Sequence, residues 1–376
     1  MITTHAAVAP AVGEAFRLEK VVLDAPRPDE LRVRMVATGL CHTDLSVREG
    51  RTPLPLPAVL GHEGAGVVEE VGDGVEDVRP GDHVLLSFTS CGSCKPCRQQ
   101  HPASCDEWAI RNLLSGRRPD GSSTVTWREE QISGSFFGQS SFAREVIAQR
   151  RSVVVVDQEA PLPTLAPLGC AIQTGVGTVT NVLRPDQGDT LVVFGAGAVG
   201  LAAVMGAALS DLERIVVVDR VAERLRLAMD LGATDVIDAS AEDPREALFD
   251  LTGGRGSDHA IEATGNVGVL ELAMSTLASA GSAAVVGAPP AGSVLPVDVK
   301  HLMRGRRLIG VTEGDSDPQA FIPKLIQMYR GGVLPVDRLI THYPFNEIER
   351  AVDDAVSGRA VKPVLLFDQN SREESR

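Results

Sequence analysis

The chain has 376 residues, 43% hydrophobic and 23% charged, with a formal net charge of −14. That length suggests two domains, and the balance of hydrophobic and charged residues is that of an ordinary globular protein. An acidic chain without a concentrated basic patch is not a nucleic-acid binder. MITTHAAVAP, lacking a basic stretch followed by an apolar core, is not a secretory signal, which makes the cytoplasm the expected compartment.

Taken in order, the first part reads as β-rich. Glu30 to Ala37 alternates, with Leu31, Val33 and Met35 on one side and Arg32 and Arg34 on the other, as a half-buried strand does. Ala65 to Val71, Asp82 to Phe88, Ser141 to Ile147 and Ser152 to Val156 are further predicted strands, punctuated by Gly72, Gly74 and Pro80-Gly81. That pattern predicts a compact barrel-like domain with irregular loops. Ser115 to Gly138 is polar and glycine-bearing and reads as a long surface excursion.

From about Val176 the rhythm becomes strand and helix in alternation. Leu191 to Asp219 runs apolar strand, glycine-spaced turn (Gly195, Gly197, Gly200), alanine-rich helix, β-branched strand, then Asp219. Glycines so placed permit a tight turn, a close approach of backbone to a pyrophosphate, and packing of helix on strand. The helix N-terminus offers unpaired N–H groups to phosphate. Asp219 stands where a carboxylate meets the ribose hydroxyls of NAD and repels the extra phosphate of NADP. Alone the glycine spacing does not decide between a nucleotide turn and an ordinary one. Leu191 to Ser210 is also uncharged and long enough to span a bilayer, but its many glycines and alanines and its flanking Asp189 and Asp211 speak against a membrane helix. Helices at Ala222 to Leu231, Pro244 to Leu251 and Val267 to Ala278 alternate with buried strands at Asp235 to Ile237, His259 to Glu262, Ala283 to Gly287 and Leu308 to Val311, which predicts a doubly wound parallel sheet. The tail from Asp317 returns to helices and a last strand, Val361 to Phe367, expected to rejoin the first domain. Ser371 to Arg376 reads as disordered.

The six cysteines lie at 41, 91, 94, 97, 105 and 170. In a reducing compartment metal binding explains them better than disulfides. Cys91-x2-Cys94-x2-Cys97-x7-Cys105 supplies four soft ligands in one short lobe, as a closed tetrahedral zinc site needs; an iron–sulfur cluster is the alternative. Cys41 and Cys170 are far apart, with His62 in a glycine-framed turn between them. Two cysteines and a histidine make an open zinc site, though a buried cysteine is often only a small hydrophobe.

GHEGAGVVEEVG, GLCHTDL, the four-cysteine lobe, LGCAIQTGVG and the GAGAVG turn occur in the order found in the zinc-dependent medium-chain alcohol dehydrogenases, which the chain resembles over nearly its whole length. CHTDLSVREG, SGSFFGQSSFA and LGCAIQTGVG look most like the aryl (benzyl) alcohol and geraniol-type members. The resemblance implies an α/β protein: a β-rich, GroES-like catalytic zinc-binding domain over 1–176, rejoined by 315–376, and an NAD-binding Rossmann doubly wound parallel sheet over 177–314. It implies a catalytic zinc on Cys41, His62 and Cys170, and a second zinc on Cys91, Cys94, Cys97 and Cys105. Asp44 is then the carboxylate that orients His62, Glu63 the acid behind the metal, and Thr43 the hydroxyl that accepts the alcohol's proton. His42 replaces an arginine that touches the pyrophosphate, and Ser46 replaces the histidine that ends the liver-type relay. Cofactor contacts fall on Thr174, Gly195, Gly197, Val199, Gly200, Asp219, Arg224 and the backbone of Val286 and Gly287, with Lys362 in the place of a pyrophosphate-binding base. Phe88, Trp108, Phe136 and Phe137 are candidate pocket walls. The implied activity is NAD-dependent interconversion of primary, aromatic or allylic alcohols and aldehydes in a homodimer or homotetramer. A thiol-dependent formaldehyde dehydrogenase and a non-catalytic zinc protein are the alternatives.

Overall fold

The computed structural model describes residues 1–368, so the tail expected to be disordered, Ser371 to Arg376, lies outside the described residues. The chain divides into two compact units, one of Met1–Cys170, Asp317–Ile326 and the chain from Val336, the other of Ala171–Ser316 and Gln327–Pro335.

The first unit is built on Glu30–Gly39, whose Leu31, Val33 and Met35 are buried while Arg32 and Arg34 pair with Glu70, Glu145 and Glu69. This strand carries Glu63–Val71, Glu145–Gln149 and Lys362–Leu366 as antiparallel neighbours, and Ile340–Pro344 runs parallel to the last of these. Gly39 at its end pairs with Glu63 on one side and Val364 on the other, and this register brings residues far apart in the sequence to one place. A second, five-stranded sheet pairs Ile2–Ala9 with Arg17–Leu23 and Ala58–Val59. The first two of these strands were not among those read from the sequence. ITTHAAVA is alanine-rich and does not alternate, because most of the strand is buried on both faces.

The segment expected to be a surface excursion is instead part of the core. Val125–Trp127 and Glu130–Ile132 form a hairpin that extends the five-stranded sheet, and Phe136 and Phe142 beyond it are fully buried. The hairpin turns on Arg128 (φ 52) and Glu129 (φ 69), two left-handed residues that lack the usual Asn-Gly signal. Its hydroxyls are spent on backbone rather than water: Thr124 Oγ1 donates to Gly134 O at 2.5 Å, Ser133 Oγ to Pro55 O at 2.7 Å, and Ser140 Oγ to Val59 O at 2.7 Å. Polarity in the sequence does not distinguish these two uses of serine and threonine.

The second unit is a six-stranded parallel sheet in the spatial order Asp235–Asp238, Arg214–Asp219, Thr190–Phe194, Ser257–Glu262, Leu277–Val285, Arg307–Gly310. The order reverses beside Thr190–Phe194, the place where such sheets open a crevice for ligand. All five residues of that central strand are buried, as helices on both faces require. The helix after it, Ala198–Ala207, is buried from Gly200 onward, which explains a membrane-like run of sequence in a packed interior. Gly175 and Gly206 permit the close packing of this helix on Ala171–Gly177, since a Cβ on Gly175 would lie 2.2 Å from Val199 O. No helix among the described residues is long and apolar enough to cross a membrane.

Candidate metal centre and nucleotide turn

Cys41 is the N-cap of the short helix His42–Arg48, and the Asp44 side chain closes the cap by accepting Cys41 N at 2.9 Å. The same carboxylate, fully buried, accepts Gly61 N at 3.0 Å and His62 Nδ1 at 3.0 Å. With Nδ1 donating to Asp44, the other ring nitrogen is left as the acceptor. That atom, His62 Nε2, is buried and has no hydrogen-bond partner. Burial opposes protonation of this imidazole, but Asp44 outweighs it and holds its basicity well above the usual range. Cys170 follows the tight turn Ala166–Gly169, in which a Cβ on Gly169 would lie 2.1 Å from Leu86 O. The thiol of Cys170, the charge of Lys362 and His62 together overcome burial and hold Cys41 well below the usual thiol range.

The ligand atoms of Cys41, His62, Glu63 and Cys170 lie within 4.8 Å of one another. Glu63 is fully buried, with both carboxylate oxygens 2.8 Å from Lys362 Nζ; a Cβ on Gly39 would lie 1.9 Å from Glu63 Oε2, so glycine there makes the room. Lys362 also donates to Leu40 O at 3.2 Å, and Glu63 keeps it an ammonium against the cost of burial. The expectation that Lys362 holds a pyrophosphate is thereby corrected: its side chain is 2% exposed and its charge is consumed by Glu63. The sequence held no signal for this pair, whose members meet only because Gly39 lies between their strands.

Thr43 stands beside the centre, its Oγ1 3.7 Å from Cys41 Sγ, and His42 is exposed. Phe137 stacks on the His62 ring at 4.4 Å and 22°, Phe136 meets it edge-on at 5.5 Å, and Trp108 meets Phe137 edge-on at 5.8 Å. Phe88, by contrast, belongs to the buried core cluster without a ring contact to His62.

In the lobe, the sulfurs of Cys91, Cys94, Cys97 and Cys105 also lie within 4.8 Å of one another. The Cys91–Cys97 and Cys94–Cys105 separations are both 3.9 Å, too long for disulfides and close to the edge of about 3.8 Å that a tetrahedron of ~2.3 Å zinc–sulfur bonds requires. This spacing suits one ion, whereas a multi-iron core would spread its terminal sulfurs further. Cys91 Sγ accepts the backbone N–H of Ser93 and Cys94; these outweigh burial and bring its thiol down to about 6, while burial pushes Cys105 up to about 12.

In the second unit Gly195 has φ 99, and a Cβ on Gly200 would lie 1.8 Å from Gly195 O, so the first and third glycines are demanded by the turn and by helix packing. Gly197 caps the helix with extended backbone, and a Cβ there would meet nothing within 4 Å. Nothing in the chain requires that glycine, and the open helix N-terminus it leaves is the kind of surface to which a phosphate can come close. Asp219 accepts Ala196 N at 2.6 Å and the N–H groups of Arg220 and Val221, which fixes its carboxylate on the wall of a cavity of ≈ 550 Å³ bounded by Gly195, Val221, Ser240, Thr264 and Val269. Arg224 Nε is buried without a hydrogen-bond partner. The N–H groups of Val286 and Gly287 both donate to Glu262 O, so only carbonyls remain there for a ligand. Thr174 Oγ1 lies 3.4 Å from the buried carboxylate of Glu313, which also accepts Gln173 Nε2 at 3.1 Å. The sequence reading passed over Glu313, whose left-handed backbone (φ 49) leaves no mark in the sequence.

Two family models match the chain: the alcohol dehydrogenase GroES-like domain over residues 27–158 and the zinc-binding dehydrogenase over residues 198–329. The chain belongs to the zinc-type medium-chain alcohol dehydrogenases. A geraniol dehydrogenase of Castellaniella defragrans is 40% identical over 367 residues, 97% of this chain and 98% of that one. The crystal structure of an alcohol dehydrogenase zinc-binding domain protein from Burkholderia ambifaria superposes with a TM-score of 0.94 at 45% identity, covering 98% and 99% of the two chains. Benzyl alcohol dehydrogenase of Acinetobacter calcoaceticus gives 0.93 at 40% identity, covering 98% and 100%. Membership makes this alcohol dehydrogenase a zinc enzyme with a nucleotide cofactor, and both donor sets fit zinc: an unpartnered imidazole nitrogen among two thiols at one, a tetrahedron of sulfurs at the other.

Proposed function

We propose that the enzyme interconverts primary aromatic or allylic alcohols and their aldehydes, transferring hydride to and from NAD. Zinc on Cys41, His62 and Cys170 serves the reaction, and zinc on Cys91, Cys94, Cys97 and Cys105 serves the fold. The observation that carries this reading is His62 Nε2, buried and unpartnered between Cys41 and Cys170 with the Thr43 hydroxyl alongside. Zinc at that centre supplies Lewis acidity, which makes an alcohol's proton easier to remove. Thr43 Oγ1 would accept that proton. With Ser46 in place of a relay histidine, the proton leaves from there to water. Asp44 fixes the tautomer and angle of His62, and Phe137 fixes the plane of its ring. The ribose hydroxyls are read by Asp219, and a 2′-phosphate is repelled by the same charge. His42, exposed beside Thr43, would offer a ring N–H to the pyrophosphate.

The substrate class is supported by two relatives, a geraniol dehydrogenase and a benzyl alcohol dehydrogenase, and by the aromatic cluster of Phe136, Phe137 and Trp108 at His62. A homo-oligomer, dimer or tetramer, is supported by Val294, Val299, Met303 and Leu308, large exposed apolar residues on the stretch of chain that leads into and includes the edge strand Arg307–Gly310. The test is NADH formation from benzyl alcohol, geraniol, ethanol, and formaldehyde with and without added thiol. Thiol-independent oxidation of benzyl alcohol or geraniol in preference to ethanol is expected. Turnover only of formaldehyde with thiol, or silence on every alcohol, would overturn the proposal.

A further inference from the structure

Ser135 to Phe142 crosses the interior of the first unit and wraps the turn that carries His62. Phe137 (φ 52), Gly138 (φ 67) and Ser140 (φ 51) all hold left-handed backbone. For the two that are not glycine this conformation costs free energy, so surrounding contacts must over-determine it. Those contacts converge on the His62 turn. Ser141 N donates to Gly61 O and Phe142 N to Leu60 O, each at 2.9 Å, while Phe137 and Phe136 hold the His62 ring by face and edge.

At the centre of this arch Gln139 is fully buried. Its Nε2 donates to His62 O and to Ser87 O, both at 2.9 Å, and its Oε1 accepts Gly64 N at 3.2 Å. Two carbonyls on one end and one N–H on the other leave a single orientation for the amide. Ser87 Oγ in turn donates at 2.6 Å to the carbonyl of Gly169, the residue before Cys170. One side chain therefore ties the backbone on both sides of Glu63 to the strand end that holds the Cys170 turn. Asp44 grips His62 at the ring, and Gln139 grips it at the main chain. A hydrocarbon of equal size would fill the same space, but it would forfeit all three of these buried hydrogen bonds.

We propose that Gln139 is a positioning residue of the catalytic metal centre, its amide setting His62 in register with Cys170. The proposal rests on the assignment of Cys41, His62 and Cys170 as ligands. The test uses the full-length enzyme loaded with zinc, and separately with cobalt, and compares wild type with Gln139→Glu, which keeps the shape of the side chain but sets an oxygen against two carbonyls. A chelator is expected to remove the catalytic metal from Gln139→Glu at about 10- to 100-fold lower concentration. The metal in the four-cysteine lobe should be retained as in wild type. The visible bands of cobalt at the catalytic site should shift, and kcat should fall with the KM for NAD unchanged. If Gln139→Glu does not fold, Ser87→Ala, which removes the hydroxyl that donates to Gly169 O, should move metal retention and the cobalt bands the same way by a smaller amount. Folded variants with wild-type metal retention and cobalt bands would overturn the role of Gln139. A wild-type chain that binds one metal ion, in the lobe alone, would overturn the ligand assignment instead.

Discussion

The four-cysteine lobe and the Cys41–His62–Cys170 centre gather sulfur in opposite ways. The lobe takes all its thiols from one stretch of chain, leaves three of them partly exposed, and steadies them with backbone N–H groups of the same loop. The other centre draws on three distant segments, is buried except at Cys41, and is held by side chains that are themselves committed: Asp44 to two backbone N–H groups and a ring, Glu63 to Lys362. A local site of this kind depends on its ion for order, because the loop has little else to fold around. The other centre has its geometry imposed by the surrounding sheets.

The comparison is broken most directly by removing one ligand from each site. Cys170→Ser is expected to abolish alcohol oxidation and remove one zinc per chain with the circular dichroism unchanged; a folded variant with full turnover would remove the centre from the reaction. Cys97→Ser is expected to cost stability first. Loss of a metal belongs with changes above about 4 kcal/mol, read as a lower thermal midpoint with the catalytic zinc still bound. If both variants lost stability equally, the contrast between an ion that organises and an ion that is received would fail.

Lys362→Met sharpens the contrast from within the buried centre. It takes the ammonium away from the buried Glu63 carboxylate, which costs about 3–5 kcal/mol, and denaturant unfolding should show that loss while NAD affinity in the folded fraction stays as in wild type. A large fall in NAD affinity without loss of stability would restore the pyrophosphate role. The smallest effect concerns acid, and it separates ordinary carboxylate titration from metal release. Burial raises the Asp258 carboxyl, but Arg255 and the N–H of Thr190 outweigh it and hold the group below its usual 3.8. A depressed carboxylate stabilises the fold above its unfolded value and loses that contribution as pH falls through the folded one. Asp258→Asn should therefore be less stable than wild type near neutrality, and the gap should close between about pH 5 and pH 3. Chemical denaturation across that range measures it, and a gap independent of pH would show that the ion pair contributes nothing.

The parallel sheet was legible because its strands and helices carry their signals locally. Alternating segments, Gly232 after the helix Ala222–Asp230 and the glycine turn before Ala198–Ala207 are each read within a dozen residues. The β-rich unit was read less well. Ile2–Ala9 has no alternation to find, and the Arg128-Glu129 hairpin lacks glycine, since both depend on partners distant in the sequence. The site divides in the same way. Spacing made the four-cysteine lobe visible, and motif order brought Cys41, His62 and Cys170 together as candidates.

By itself the sequence determined the α/β class, the nucleotide turn ending at Asp219 and the supply of metal ligands, because periodicity, glycine placement and cysteine spacing act over short stretches of chain. Only the tertiary structure decided how those ligands are held. Lys362 reaches Glu63 because Gly39 has no side chain, and Gln139 reaches His62 because a polar segment folds inward with its hydroxyls bonded to backbone. Hydrogen bonds and ion pairs over such separations follow from strand register, and register is a property of the assembled sheets.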